Sequence, residues 1–188
     1  MNNNPQLVEQ VGILMKQRIL IVDDEKNTRE GLKWSLEADN YEVDTAEDGL
    51  QAWDKIQLQS CDLVITDLKM PNLDGMELLR KIREEDPSIA VIMLTAHGTI
   101  ETAVEAMQMG ALHYQTKPID LKELTVKVRS ALINRELKLE NIELKSLVEK
   151  RCGFENIIGS SAPMERIFEQ IRQVAPSRAT VLIQGESG

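Results

Sequence analysis

LVITDLKMPNLDG, residues Leu63–Gly75, runs a short apolar stretch into one carboxylate, Asp67, and then turns away through Pro71 and Asp74-Gly75. A continuous apolar run of this length is the pattern of a strand buried on both faces, which is the environment of a parallel sheet. A strand that stops on an acid is most often just reaching the surface. The alternative is that Asp67 is presented in a crevice to react, and the rest of the chain decides between the two.

Working outward, the same texture recurs. RILIV (18–22) precedes Asp23-Asp24, IAVIML (89–94) precedes Thr95, and the shorter ALHYQ (111–115) leads to Lys117-Pro118. YEVDTA (41–46) alternates as a strand should. Between these runs lie helical patterns. Leu32 and Leu36 recur in EKNTREGLKWSLEA (25–38), and Leu50, Trp53 and Ile56 share a predicted helix face in GLQAWDKIQLQ (49–59). MELLRKIREED (76–86) is amphipathic and stops before Pro87, TIETAVEAMQMG (99–110) closes on Gly110, and Asp120 precedes LKELTVKVRSALI (121–133). Strands alternating with helices imply right-handed βαβ crossovers. Five of each in this length predict an α/β fold, a flavodoxin-like doubly wound parallel sheet of order 2-1-3-4-5, since a closed barrel needs about twice as many residues.

Composition agrees with a globular domain carrying an extra segment. The chain has 188 residues, 42% of them hydrophobic and only 3% aromatic, so the core must be aliphatic. The net charge of -9 argues against non-specific binding to nucleic acid or to anionic membranes. Two cysteines, Cys61 and Cys152, form no metal-ligand spacing and suit reduced thiols. The sequence shows neither an apolar run of membrane-spanning length nor a signal peptide, so a cytoplasmic location is expected.

In an open α/β sheet, ligands bind outside the carboxyl ends of the strands, where the strand order reverses. For the predicted order that point lies between the first and third strands, which end in Asp23-Asp24 and Asp67. Three convergent carboxylates would repel one another and raise their pKa values unless a cation such as Mg²⁺ joined them. Thr95 and Lys117, at the ends of the fourth and fifth strands, would face the same crevice. Acids, a hydroxyl and an ammonium so placed suit phosphoryl transfer to Asp67, with Lys117 neutralising phosphoryl oxygens and Thr95 hydrogen-bonding one of them. Each residue alone is a weak sign, and the joint placement is the specific one.

ILIVDDE, DLVITDLKMPNLDG, VIMLTAHG and ALHYQTKPI together resemble the response-regulator receiver family of two-component signalling, over about residues 17–133. The resemblance implies Asp67 as phosphoacceptor, with Mg²⁺ held by Asp23, Asp24, Asp67 and the backbone carbonyl of Lys69. It further implies Thr95 and Tyr114 as switch residues, Lys117 as the phosphate-sensing lysine, a Lys117-Pro118 bond that is often cis, and a sensor histidine kinase as donor. Lys69 and His97 occupy positions that tune phosphoryl lifetime in the family. His113 and the methionines Met70, Met93, Met107 and Met109 read as packing residues, with Met107 and Met109 also candidates for a contact face on the fourth helix.

Residues 1–16 read as an N-terminal extension, with Met15 a conceivable alternative start, and residues 17–133 as the receiver. No Pro or Gly interrupts the pattern from Leu121 to about Lys150. Leu132, Leu139 and Ile142 fit one heptad seam that Arg135, Ser146 and Glu149 interrupt, so residues 134–152 are expected to form a helical, coiled-coil linker supporting a homodimer. ENIIGSSAPMERIFEQIRQVAPSRATVLIQGESG (155–188) resembles the start of the AAA+ domain of NtrC-like, sigma-54-dependent activators, with Gly185 and Gly188 opening a phosphate loop that stops before its lysine. Residues 153–188 are therefore expected to be a truncated start of that ATPase, with a helix beginning at the Ser-Ser-Ala-Pro segment and a strand at ATVLIQ. ATP would be a cofactor only of the full-length parent, and DNA and sigma-54 RNA polymerase would be reached only through further domains. No ATP turnover is expected of this chain. Two rivals remain. A haloacid-dehalogenase-type phosphohydrolase would carry Asp-x-Asp where this chain has Asp67-Leu68-Lys69. A structural dimerisation module would have no use for the acid set and Lys117.

Overall fold

The computed structural model describes residues 16–96, 99–152, 161–175, 177, 180–182, 184 and 185. Residues 1–15 of the N-terminal extension, with Met15, and also His97 and Gly188 lie outside the described residues. The chain divides into two units between Glu140 and Asn141.

The first unit holds one five-stranded sheet of order β2-β1-β3-β4-β5, parallel throughout. The strands are β1 (Arg18–Val22), β2 (Glu42–Ala46), β3 (Leu63–Asp67), β4 (Ala90–Thr95) and β5 (His113–Thr116). They alternate with α1 (Lys26–Ala38), α2 (Gly49–Leu58), α3 (Gly75–Glu85), α4 (Ile100–Gln108) and α5 (Leu121–Cys152). Every residue of β3 and β4 is buried, as the uninterrupted apolar runs require of central strands covered on both faces. Two aliphatic cores result. One groups Leu20, Val64, Val91 and Met93 with Leu78, Leu79 and Ile82 of α3. The other groups Ile19, Ile21, Ile65 and Leu94 with Leu32 and Leu36 of α1 and Leu124, Val128 and Leu132 of α5.

Local chemistry sets the helix starts. Asp74 and Glu77 form a reciprocal capping box at α3, Thr99 and Thr102 another at α4, and the Asp120 carboxylate accepts from the Lys122 and Glu123 amides at α5. Gly110, beyond α4, has φ of +101°, a conformation that L side chains rarely adopt.

The first unit differs from the sequence reading in three places. Leu50, expected on the buried face of α2, is half exposed, because Gly49 and Ala52 make the close approach while Trp53 and Ile56 pack at the margin. The fifth strand begins at His113, two residues later than expected. Leu132, assigned to the heptad seam, is buried in the second core and cannot serve a partner. Of the methionines, Met93 is buried and Met70 and Met109 pack against the first core as packing residues, while Met107 is exposed on α4, the alternative the sequence left open for it.

In the second unit α5 continues to Cys152, and α6 (Ala162–Val174) starts with Ser161 as N-cap and Pro in its first turn. The strand expected at ATVLIQ does not form among its described residues, 180–182 and 184; no neighbouring strand there pairs with its amides and carbonyls. Gly185 lies in this irregular stretch.

Candidate functional site

The register Val22↔Thr66 brings Asp23 and Asp67 side by side at the carboxyl ends of β1 and β3. Asp24 follows, and one carboxylate oxygen from each of Asp23, Asp24 and Asp67 lies within 4.8 Å of the others. Asp23 and Asp67 are buried while Asp24 is exposed, so the cluster has two walls and an open side.

Lys117 crosses to this cluster from the end of β5. Its Nζ donates to Asp23 Oδ2 at 2.8 Å and to Asp67 Oδ2 at 2.7 Å. The loop that carries it is pinned by the Lys117 amide donating to the Thr95 carbonyl at 2.6 Å, and the Lys117-Pro118 bond is cis. The second oxygen of Asp67 accepts from the Leu68 amide at 2.7 Å, and Asp23 Oδ1 accepts from the Glu25 amide at 2.9 Å. Both buried acids are thus fixed in orientation.

Burial pushes the Asp23 carboxyl above its ordinary pKa, and the hydrogen bond from Lys117 only partly offsets it. For Lys117 burial acts to lower the pKa, but the hydrogen bonds to Asp23 and Asp67 prevail and hold the ammonium above its ordinary value. Three carboxylates against one ammonium leave the crevice negative. Hard oxygen donors around a partly open site fit Mg²⁺, which takes a few carboxylates and keeps waters.

Thr95 ends β4 and is 2% exposed. Tyr114 lies two residues back on β5 opposite Met93, with its hydroxyl 3.4 Å from Thr102 Oγ1 of α4. The structure therefore brings Asp23, Asp24, Asp67 and Lys117 into one cluster, with Thr95 on the strand that pins the Lys117 loop. Tyr114 stands at the α4 face of the first core rather than in the acid crevice. Lys69 is exposed in the turn after Asp67.

Sequence reading missed the part that Gly75 plays. Its amide donates to the Leu68 carbonyl at 3.0 Å, and a Cβ on Gly75 would collide with the backbone carbonyl of Asp67. α3 is thereby seated directly against the turn that aims Asp67. The Asp-Gly at a helix start was the available signal, read only as a turn. Likewise missed was Arg135, read as an interruption of the heptad seam. It pairs with Asp62 at 2.7 Å, and Asp62 also accepts from the Arg18 amide at 2.7 Å. Its spacing from Val128 and Leu132, seven and three residues, places it on the buried side of α5.

Comparison with known proteins gives a consistent picture. The response regulator receiver domain family matches residues 19–129. The "Transcriptional regulatory protein ZraR" of Klebsiella oxytoca is 38% identical over 170 residues, covering 90% of this chain and 37% of that protein. The chain thus spans little more than a third of the length of the curated relatives it matches. Among solved structures, NtrX from Brucella abortus in complex with ADP is 32% identical with a TM-score of 0.66, covering 87% of this chain and 35% of that one. The beryllofluoride-activated NtrC4 receiver domain dimer is 32% identical with a TM-score of 0.61, covering 63% of this chain and 98% of that one.

Proposed function

The chain belongs to the response regulator receiver domain family, and from that premise we propose that it is a phosphorylation switch in which Asp67 takes a phosphoryl group from a sensor histidine kinase. The observation that carries the proposal is the joint placement of three carboxylates within 4.8 Å and Lys117 at 2.7 Å from Asp67.

Asp23, Asp24, Asp67 and the backbone carbonyl of Lys69 would hold Mg²⁺. When bound, the ion would neutralise charge that builds on the phosphoryl oxygens. In the transfer, an Asp67 carboxylate oxygen forms a bond to phosphorus as the bond from phosphorus to the donor's leaving atom breaks. Asp67 Oδ2 is now held by Lys117, so on transfer the ammonium would pass to a phosphoryl oxygen and keep a counter-ion. The Leu68 amide fixes the other Asp67 oxygen and sets the carboxylate plane. Thr95 would then donate to a phosphoryl oxygen, with Tyr114 exchanging its place beside Thr102 for a more buried one. We read the chain as a self-modifying switch of the cytoplasm rather than a turnover enzyme; no helix among the described residues is long and apolar enough to cross a membrane.

The output would be a change in homodimer geometry carried through α5. Leu137, Ile142, Leu144 and Leu147 of that helix are about half exposed, which supports a partner there. In a longer parent the linker would act on the AAA+ ATPase of an NtrC-like, sigma-54-dependent activator, whose DNA and polymerase contacts lie in other domains. We infer that the unphosphorylated dimer is the inhibitory state.

Incubation with Mg²⁺ and acetyl phosphate tests the reading. One stable phosphoryl group per chain, lost in Asp67→Asn, is expected. Continuous release of phosphate over many turnovers would instead indicate a phosphohydrolase, and no incorporation would indicate a structural module.

A further inference from the structure

At the opposite end of the strands, beside the amino ends of β4 and β5, lies a cavity of about 180 Å³. Its walls come from the end of α3, the turns leading into β4 and β5, and α5, all within the first unit. Three cationic side chains line it, Arg83, Arg135 and Lys138, together with Asn134 and an apolar floor that includes Ile89 and Leu112; no carboxylate does. Asp62 pairs with Arg135 from outside the lining, yet in a chain of net charge -9 the Arg83 and Lys138 that remain are still a local reversal of sign.

These cations keep donors in hand. Arg83 spends two nitrogens on backbone carbonyls, donating to Ile89 at 2.7 Å and to Gly110 at 3.1 Å. Lys138 Nζ donates to the Pro87 carbonyl at 2.8 Å, which uses one of its three hydrogens. Arg135 uses Nη1 on Asp62, but its Nε is buried with no hydrogen-bond partner. That N–H is enclosed by protein, so it is the guanidinium as a whole, and not this donor, that the cavity exposes. Carbonyls fix the Arg83 guanidinium without neutralising it; burial lowers its pKa, and the nearby Asp86 carboxylate only partly offsets this.

We propose that this cavity binds a small organic anion, with its phosphate or carboxylate directed to Arg83, Arg135 and Lys138 and its apolar body over Ile89 and Leu112. The volume exceeds what one or two ordered waters need, and the apolar floor favours a ligand with a hydrocarbon part over a bare inorganic ion. Because Arg135 and Lys138 belong to α5 while Arg83 belongs to α3, the bound anion would fasten α5 to the body of the sheet just before the second unit begins.

The test is amide NMR titration of the whole chain, without divalent ion or phosphodonor, so that its failure leaves the role of Asp67 untouched. Phenyl phosphate and benzoate serve as probes and benzyl alcohol as the neutral control. Saturable shifts are expected at the amides of Arg83, Ser88, Gly110 and Leu112, with dissociation constants on the order of 0.1–1 mM and none for the alcohol. Lys138→Gln, an exposed change, should weaken both anions about tenfold while leaving the spectrum otherwise native. Absence of saturable shifts with both anions, an equal response to benzyl alcohol, or unchanged affinity in Lys138→Gln would overturn the proposal.

Discussion

The two ends of this sheet carry opposite electrostatics on the same strands. At the carboxyl ends, Asp23, Asp24 and Asp67 crowd together and Lys117 offsets only part of their charge. At the amino ends, Arg18, Arg135 and Asp62 form hydrogen-bonded pairs, and Arg83 is held by carbonyls. One end carries excess acid; at the other, Asp62 is paired, while Arg83 and Lys138 hydrogen-bond only to carbonyls. The difference teaches what each arrangement costs: like charges held together lower stability, a cost that on the proposed function a cation and a transferred group would use, whereas the paired Asp62 mainly fastens elements together.

Three substitutions and one labelling experiment sharpen that contrast. The largest effect on stability is expected from Gly75→Ala. Its Cβ meets the Asp67 carbonyl, a backbone atom that cannot swing aside, so urea denaturation should show a loss of about 2–3 kcal/mol, and phosphorylation should slow as well. Asp62→Ala removes the acceptor of the Arg18 amide and the partner of Arg135 at the other end. The site is partly solvated, so a loss of about 1–2 kcal/mol is expected, with the rate of phosphorylation from acetyl phosphate within about twofold of the parent. A comparable loss of phosphorylation would break the separation of the two ends.

Asp23→Asn should act in the opposite direction on stability. The Asp23 pKa is raised by burial, so the folded state holds this proton more tightly than the unfolded chain. The stability this gives is fully present below the unfolded pKa of about 3.9 and is lost as pH rises through the raised value. At pH 7 the ionised carboxylate is therefore a cost. In EDTA at pH 7 the variant should be more stable on the order of 1 kcal/mol, the gain should shrink as pH falls toward 4, and added Mg²⁺ should stabilise the parent alone. The smallest effect concerns Cys61. Burial pushes this thiol up to about 11, so iodoacetamide at pH 8 should label the native protein about a hundredfold more slowly than the urea-unfolded chain, without altering phosphorylation.

Legibility in the sequence followed the range of the physics. The β3 and β4 runs announced themselves because strands covered on both faces must be apolar at every position. Asp23, Asp67 and Lys117 were legible because parallel topology alone brings strand ends together, whatever the side-chain detail. Leu50 misled because helical spacing defines a face but not how much of it a neighbour covers. Arg135 was misread for a related reason. A charge within an apolar pattern looks like an interruption until its partner is known, and Asp62 lies 73 positions away on the approach to another strand. The seating of α3 by Gly75 depends on a contact of a few ångströms that no periodicity records.

The central claim is that the unbalanced acid cluster makes Asp67 a nucleophile. Intact-mass measurement after incubation with acetyl phosphate and Mg²⁺, followed by peptide mapping, addresses it most directly. The account predicts a single phosphoryl group on Asp67, formed only with the divalent ion and absent from Asp67→Asn. Undiminished incorporation in that variant, or incorporation in EDTA equal to that with Mg²⁺, would contradict it.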